Sequence, residues 1–234
     1  MKRTHDRGGK VIIPSFALER AQEVLYAIRM LKSAGKFPEM PVYVDSPLTV
    51  KITDIFKLHP ECFDTETRRL LDEDRSPFDL DELVYVADKE ESKALDASKD
   101  PCVIISASGM CEAGRVVHHL KATIEDAKNT VIIVGYQAQH TLGRRLVEHR
   151  QRVRIFGVER DLRAEVAVLN GFSAHADQKD LLDFVAATRA RSKNLAHVAL
   201  VHGDPGAQKV LGGMLERTGL DDVRAPAPGD VMTV

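Results

Sequence analysis

The residues best equipped for chemistry fall in two short stretches late in the chain. "GFSAHADQ" (Gly171 to Gln178) carries Ser173, His175 and Asp177 at alternate positions. "VHGDPG" (Val201 to Gly206) places His202 behind an apolar run. A neutral imidazole can give or take a proton near neutral pH, and it is a common metal ligand. Ser173 has the hydroxyl to hold a phosphate beside such a proton donor, and Asp177 has the charge to orient the ring. The competing reading is that both histidines are turn residues satisfied by backbone carbonyls.

A second group lies earlier. "SASGM" ends an apolar run with Ser106, Ser108 and Gly109, just ahead of a helical pattern. Glycine lets a ligand approach the backbone, and a helix N-terminus offers free N–H groups to an anion, so a phosphate fits. Tight helix–sheet packing by small residues is the alternative. In "HTLGRRL", Arg144 and Arg145 open another helix. Arginine grips phosphate bidentately, but neighbouring helical residues face different ways, so at most one of the two points into a site; Arg144 is the candidate named here. His118, His119, His140 and His149 read as structural. The motifs H-x-H-x-D-H, H-E-x-x-H and paired C-x-x-C do not occur, nor do the glycine fingerprints of nucleotide-binding folds. A hydrolytic zinc site needs at least three protein ligands in one place, and these residues do not assemble three.

The elements that must position these groups alternate. "KVIIPSF", "MPVYVDSPL", "LVYVA", "CVIIS" and "TVIIV" read as strands, each followed by a helical pattern. Gly35 ends the first long helix, Pro47 suits the first turn of the next, and Asp88 suits an N-cap. The acidic stretch from Pro60 to Glu82 reads as irregular or loosely helical. Strand, turn and helix in repetition predict an α/β fold with a parallel, doubly wound sheet, whose ligands bind beyond the carboxyl ends of the strands. Near Arg150 the pattern changes. "RVRIFGVERDLRAEVAVLN" shows two alternating runs separated by "GVERD", which reads as antiparallel β-structure. A helix from Gln178, a buried strand "HVALV", a helix from about Pro205 and a short final strand "DVMTV" complete the chain.

Composition narrows the classes. The 234 residues are 44% hydrophobic, 29% charged and 5% aromatic, with net charge -2. That is ordinary for a globular protein and excludes a global basic field, although 33 Lys and Arg leave room for a local one. The low aromatic content and the absence of Trp argue against a surface built on stacked bases. Three cysteines, an odd number without close pairs, suit a reducing cytoplasm. No apolar run approaches the roughly 20 residues of a membrane span, and the polar start is unlike a secretory signal.

Six segments in order, "GGKVIIPSFALERAQEVL", "VYVDSPL", "IISASGMCEAGRVVHHL", "GYQAQHTLGRRL", "GFSAHADQ" and "LVHG", resemble the β-CASP group of metallo-β-lactamase-fold proteins. These are nucleases of RNA and DNA, including the pre-mRNA 3′-end endonuclease and its prokaryotic relatives. The resemblance covers nearly the whole chain. It implies a Rossmann-like β-CASP cap over residues 1–152, inserted into a metallo-β-lactamase αββα domain whose C-terminal segment is residues 153–234. It also implies that the H-x-H-x-D-H metal motif lies upstream of residue 1. By the same resemblance His175 matches the motif histidine near the scissile phosphate, taken as the general acid. His202 matches a zinc ligand typical of the RNA-processing members. Ser173, Ser108 and Gly109 fall in phosphate-contacting segments.

The function implied is part of a zinc-dependent ribonuclease with RNA as partner. The expectation for the 234-residue chain alone is weak zinc binding and no cleavage. Self-association or instability after residue 150 is expected as well, because "VRIFG" and "AEVAVL" would lack strand partners. A non-catalytic RNA-binding or scaffold protein of the same family is the second reading. An unrelated Rossmann-like nucleotide-binding enzyme is the third, and the missing glycine fingerprint counts against it.

Overall fold

A computed structural model describes residues 1–72, 76–78, 80–173, 175–192 and 194–232. The chain divides into two compact units, Met1–Ser173 and Ala174–Val234.

The first unit opens with a short helix, α1 (Lys2–Asp6), and the buried strand β1 (Val11–Pro14). Helix α2 (Arg20–Ser33) follows a turn over residues 17–19. Gly35, at φ +65°, follows its end. Strand β2 (Val42–Val44) leads into α3 (Pro47–Leu58), whose N-cap is Ser46 with Pro47 in the first turn, as expected. The acidic stretch holds a 3-10 turn (Pro60–Cys62) and α4 (Thr65–Asp72), while residues 73–75 and 79 lie outside the described residues. Strand β3 (Leu83–Tyr85) precedes α5 (Lys89–Ala97), and Asp88 caps that helix by accepting from the amides of Glu90 and Glu91. Then come β4 (Val103–Ser106), α6 (Arg115–Thr123), β5 (Thr130–Ile133) and α7 (Leu142–Val147).

The six-stranded sheet runs β3-β2-β4-β1-β5-β8, where β8 is Glu165–Val168, and every pairing in it is parallel. Alternate residues on the central strands feed two cores. Ile12, Ile104, Val131 and Ile133 pack on one face against Val116, Leu120 and Ile124 beside α6. Val11, Ile13, Val103 and Ile105 pack on the other against Val24, Leu25 and Ile28 of α2. Both faces are therefore covered, which is why these strands read as unbroken apolar runs.

Past Arg150 the outcome departs from the expectation in two ways. The hairpin is β6 (Arg152–Ile155) with β7 (Val158–Asp161), so most of "GVERD" is strand and the turn is Phe156–Gly157. Both turn residues have positive φ, 50° and 78°, as a two-residue turn matching strand twist requires. The "AEVAVL" run is not antiparallel. It is β8, and it pairs in parallel with β5 at the sheet edge. Val153 and Ile155 are buried in the first core. These segments thus find their partners within the first unit, against the expectation that they would be left unpaired. A 3-10 turn (Asn170–Phe172) ends the unit.

The second unit contains α8 (Gln178–Arg191), β9 (His197–Ala199), α9 (Pro205–Arg217) and β10 (Asp222–Arg224), with β9 and β10 paired in parallel. The "HVALV" strand was expected to be buried. Instead β9 has β10 as its one strand partner among the described residues, and Val201 is exposed. The final strand expected over 230–234 does not form at 230–232, and 233–234 lie outside the described residues.

Candidate functional site

In the first unit the carboxyl ends of β4, β1 and β5 lie side by side, and each runs into a loop that the sequence singled out. The loop after β4 separates the two serines of "SASGM". Ser106 is buried and its hydroxyl donates to the Asp45 carbonyl at 2.8 Å, so it is structural. Ser108 is half-buried, in a loop where the Ala107–Ser108 peptide is cis. Its hydroxyl, and the amides of Gly109 and Met110, have no hydrogen-bond partner among the described residues. Three unpartnered donors at consecutive positions of one loop suit a phosphate or another anion.

Gly109 is a glycine for a reason the sequence did not show. A Cβ there would meet the Phe16 ring at 2.9 Å and the Phe16 amide nitrogen at 3.0 Å. Gly114 is likewise required, since its φ is +81° and a Cβ would lie 2.3 Å from the Ala107 carbonyl oxygen. Gln137, buried beyond β5, holds the loop from the other side. Its Nε2 donates to the carbonyls of Gly109 (3.0 Å) and Tyr136 (3.1 Å).

Beneath the loop lies a buried charge cluster. Asp45, at the end of β2 and with a fully buried side chain, accepts from Arg115 at 2.6 Å, from His119 at 2.7 Å and from Ser92 at 2.5 Å. His119 turns its other nitrogen to Asp96 at 2.7 Å. Arg115 also donates to the carbonyls of Val86 (3.2 Å) and Ala87 (2.8 Å). It therefore ties the ends of β2 and β3 to the first turn of α6, directly behind the Ser108 loop. Burial opposes charge on His119, but the hydrogen bonds to Asp45 and Asp96 outweigh it and hold its pKa above the usual imidazole value. Burial also opposes charge on Asp45, and the bonds from His119, Ser92 and Arg115 hold its pKa below the usual carboxylate value. Two carboxylates, one guanidinium and one imidazolium balance to neutrality.

Of the four histidines read as structural, His119 belongs to this cluster and His118 is exposed, its ring 4.7 Å from that of Phe156. His140 and His149 occupy positive-φ turn positions. Arg144, in α7, has its Nε engaged by Glu148 at 2.8 Å. A phosphate contact there competes with that carboxylate. Cys102 and Cys111 are buried and burial raises both thiols, Cys102 to about 11, so neither is a thiolate nucleophile at neutral pH.

Ser173 closes the first unit, exposed, with its amide bonded to the Asn170 carbonyl at 3.0 Å. The opening residues of the second unit carry His175, also exposed; Ala174 between them lies outside the described residues. Asp177 does not serve the ring. It is the N-cap of α8 in a reciprocal capping box, accepting from the Asp180 amide at 2.9 Å. His202 sits at φ 63°, exposed, where the chain leaves β9 for α9. It lines an apolar groove of about 720 Å³ with Ala176, Leu181, Phe184 and Val198. Thus His202 and the segment just after His175 border one groove within the second unit. Among the described residues no group of three or more His, Cys, Asp and Glu could hold a metal. A lone imidazole such as that of His202 does not by itself make up the three protein ligands of a hydrolytic zinc site.

A parallel sheet with helices on both faces defines an α/β protein of the doubly wound kind, in which ligands bind beyond the carboxyl ends of the strands. The model of the Beta-Casp domain matches residues 21–146, and that of the Zn-dependent metallo-hydrolase RNA specificity domain matches residues 159–226. The chain belongs to the β-CASP family of metallo-β-lactamase-fold proteins. It is 37% identical over 219 residues to ribonuclease TTHA0252 of Thermus thermophilus, covering 94% of this chain and 49% of the relative. It is 35% identical over 214 residues to the transcription termination factor FttA of Methanosarcina mazei, covering 88% and 33%. It is 35% identical over 182 residues to an RNase J-like protein of Methanocaldococcus jannaschii, covering 78% and 41%. The chain therefore spans half or less of the length of these relatives.

Proposed function

We propose that this chain is the β-CASP portion, residues 1–152, and the C-terminal metallo-β-lactamase segment, residues 153–234, of a zinc-dependent ribonuclease. RNA is its partner. The Ser108 hydroxyl and the Gly109 and Met110 amides hold a backbone phosphate, with Ser173 and Arg144 as further contacts. His175 protonates the leaving oxygen of the cleaved phosphodiester. His202 is a zinc ligand in a site whose remaining ligands lie outside the described residues. The unpaired donors of the Ser108 loop carry this reading, together with the relatives' names. Three free thiols suit a reducing cytoplasm, and no helix among the described residues is long and apolar enough to cross a membrane.

RNA binding without chemistry is the second reading. It is favoured by the Ser108 loop, whose donors are preformed in the first unit while both histidines belong to the second. The two readings share a test of the phosphate site. Ser108→Ala should weaken binding of single-stranded RNA severalfold in a titration. Unchanged affinity would remove this loop from the RNA path.

A further inference from the structure

The Ser108 loop has an aromatic neighbour that nothing in the fold needs on the surface. Phe16 follows β1, the strand between β4 and β5, and is 46% exposed. One edge of its ring lies against Gly109, so close that a Cβ there would come within 3.1 Å of both Cδ2 and Cε2. The 46% exposure leaves part of the side chain open to solvent. A flat apolar surface therefore adjoins the three free donors of residues 108–110.

The turn bearing Phe16 is held firmly. The Phe16 carbonyl accepts from the Ser15 hydroxyl (3.2 Å) and the Ala21 amide (3.3 Å). The Ala17 carbonyl accepts from buried Gln22 (3.3 Å), which is itself held by Thr53 (2.8 Å). Arg20 donates to the Leu18 carbonyl at 2.8 Å across Glu19, whose φ 66° and ψ -61° make a γ-turn of the rare positive-φ kind. Such strain persists where surrounding structure enforces it, and it gathers at ligand-binding positions. Here it lies three residues beyond a phenylalanine that is 46% exposed.

We infer that Phe16 is a nucleobase platform. The base of a nucleotide whose phosphate is held at residues 108–110 stacks on the open face of its ring. Anion donors beside an aromatic ring are the pairing by which proteins hold single-stranded nucleic acid without reading its sequence. The inference rests on the RNA-contacting reading of the Ser108 loop and adds to it a base site tolerant of base identity.

Fluorescence anisotropy with the full chain tests it, using a labelled single-stranded oligoribonucleotide and an abasic ribose-phosphate chain of equal length. Phe16→Ala should weaken the base-bearing RNA about tenfold and leave the abasic chain unchanged. Phe16→Trp should keep the preference for bases. Phe16→Leu, which preserves apolar bulk against Gly109, should lose it. Equal effects of Phe16→Ala on both ligands, or Phe16→Leu binding like wild type, would overturn the inference and leave the phosphate site standing. A wild-type chain that binds neither ligand would overturn the functional reading itself.

Discussion

His119 is clamped between two carboxylates: Nε2 is 2.7 Å from Asp45 Oδ2, and Nδ1 is 2.7 Å from Asp96 Oδ1. Ionised carboxylates only accept, so both ring nitrogens donate and the ring is an imidazolium inside the protein. Through Asp45 this charge reaches Arg115, and through Arg115 the first turn of α6 and the Ser108 loop. The cluster links the stability of the first unit to the shape of the Ser108 loop.

Removing one member leaves buried charge uncompensated. His119→Gln should destabilise the first unit by about 3 kcal/mol, as loss of one partner from a buried ion pair does. His118→Gln, next in sequence but exposed, should change stability by no more than about 0.5 kcal/mol. Urea unfolding followed by circular dichroism compares them. Equal midpoints would show that the cluster contributes nothing.

The pH dependence has a definite sign. The His119 pKa is raised on folding, so its contribution is complete below the ordinary imidazole value of 6.5 and is lost as pH rises through the raised folded value. The Asp45 pKa is lowered, so its contribution is complete above the ordinary value of 3.8 and is lost as pH falls through the depressed value. Stability from the cluster should be greatest between those two ordinary values and should decline above pH 6.5. Unfolding midpoints of wild type and His119→Gln, measured from this range up to alkaline pH, should converge as pH rises through the raised His119 value. A constant difference would contradict the assignment.

Gly143 tests how the loop is held. A Cβ there would lie 1.6 Å from Gln137 Oε1, so Gly143→Ala must displace the side chain that bonds the Gly109 carbonyl. Overpacking of this kind costs about 1–3 kcal/mol. RNA affinity should fall alongside stability, and Gln137→Ala should reproduce the loss of affinity. A stable Gly143→Ala protein with full RNA affinity would show that the Gln137 contact does not shape the loop.

Glu148 competes for Arg144. If Arg144 contacts RNA, Glu148→Gln should tighten RNA binding severalfold at low salt, and added salt should erase the gain. No change at low salt would leave Arg144 as a surface ion-pair residue.

Much of the fold was legible because both sheet faces are covered. Val11–Pro14, Val103–Ser106 and Thr130–Ile133 are buried throughout and mostly apolar, and Asp88 and Pro47 are local signals that act locally. The Phe156–Gly157 turn was missed because Phe156, at φ 50°, is a residue type not expected there. Strand β8 was misread because alternation in "AEVAVL" fits an edge strand of a parallel sheet as well as an antiparallel one. Within the site, Ser108 and Gly109 were legible as a small-residue turn after a buried strand. The division of labour between Ser106 and Ser108 was not, since it depends on the Asp45 carbonyl sixty-odd residues away. His119 was passed over because the pair His118–His119 does not reveal which ring faces Asp45. Asp177 looked like a partner for His175, yet the requirement to cap α8 claims it.

The proposed role of His175 as proton donor in RNA cleavage can be tested on the reaction itself. Cleavage of a labelled RNA by the protein expressed from its complete gene, wild type against His175→Ala, tests it most directly. The account predicts that His175→Ala lowers the cleavage rate about 100-fold or more while RNA affinity is unchanged. Cleavage by His175→Ala at the wild-type rate would contradict it.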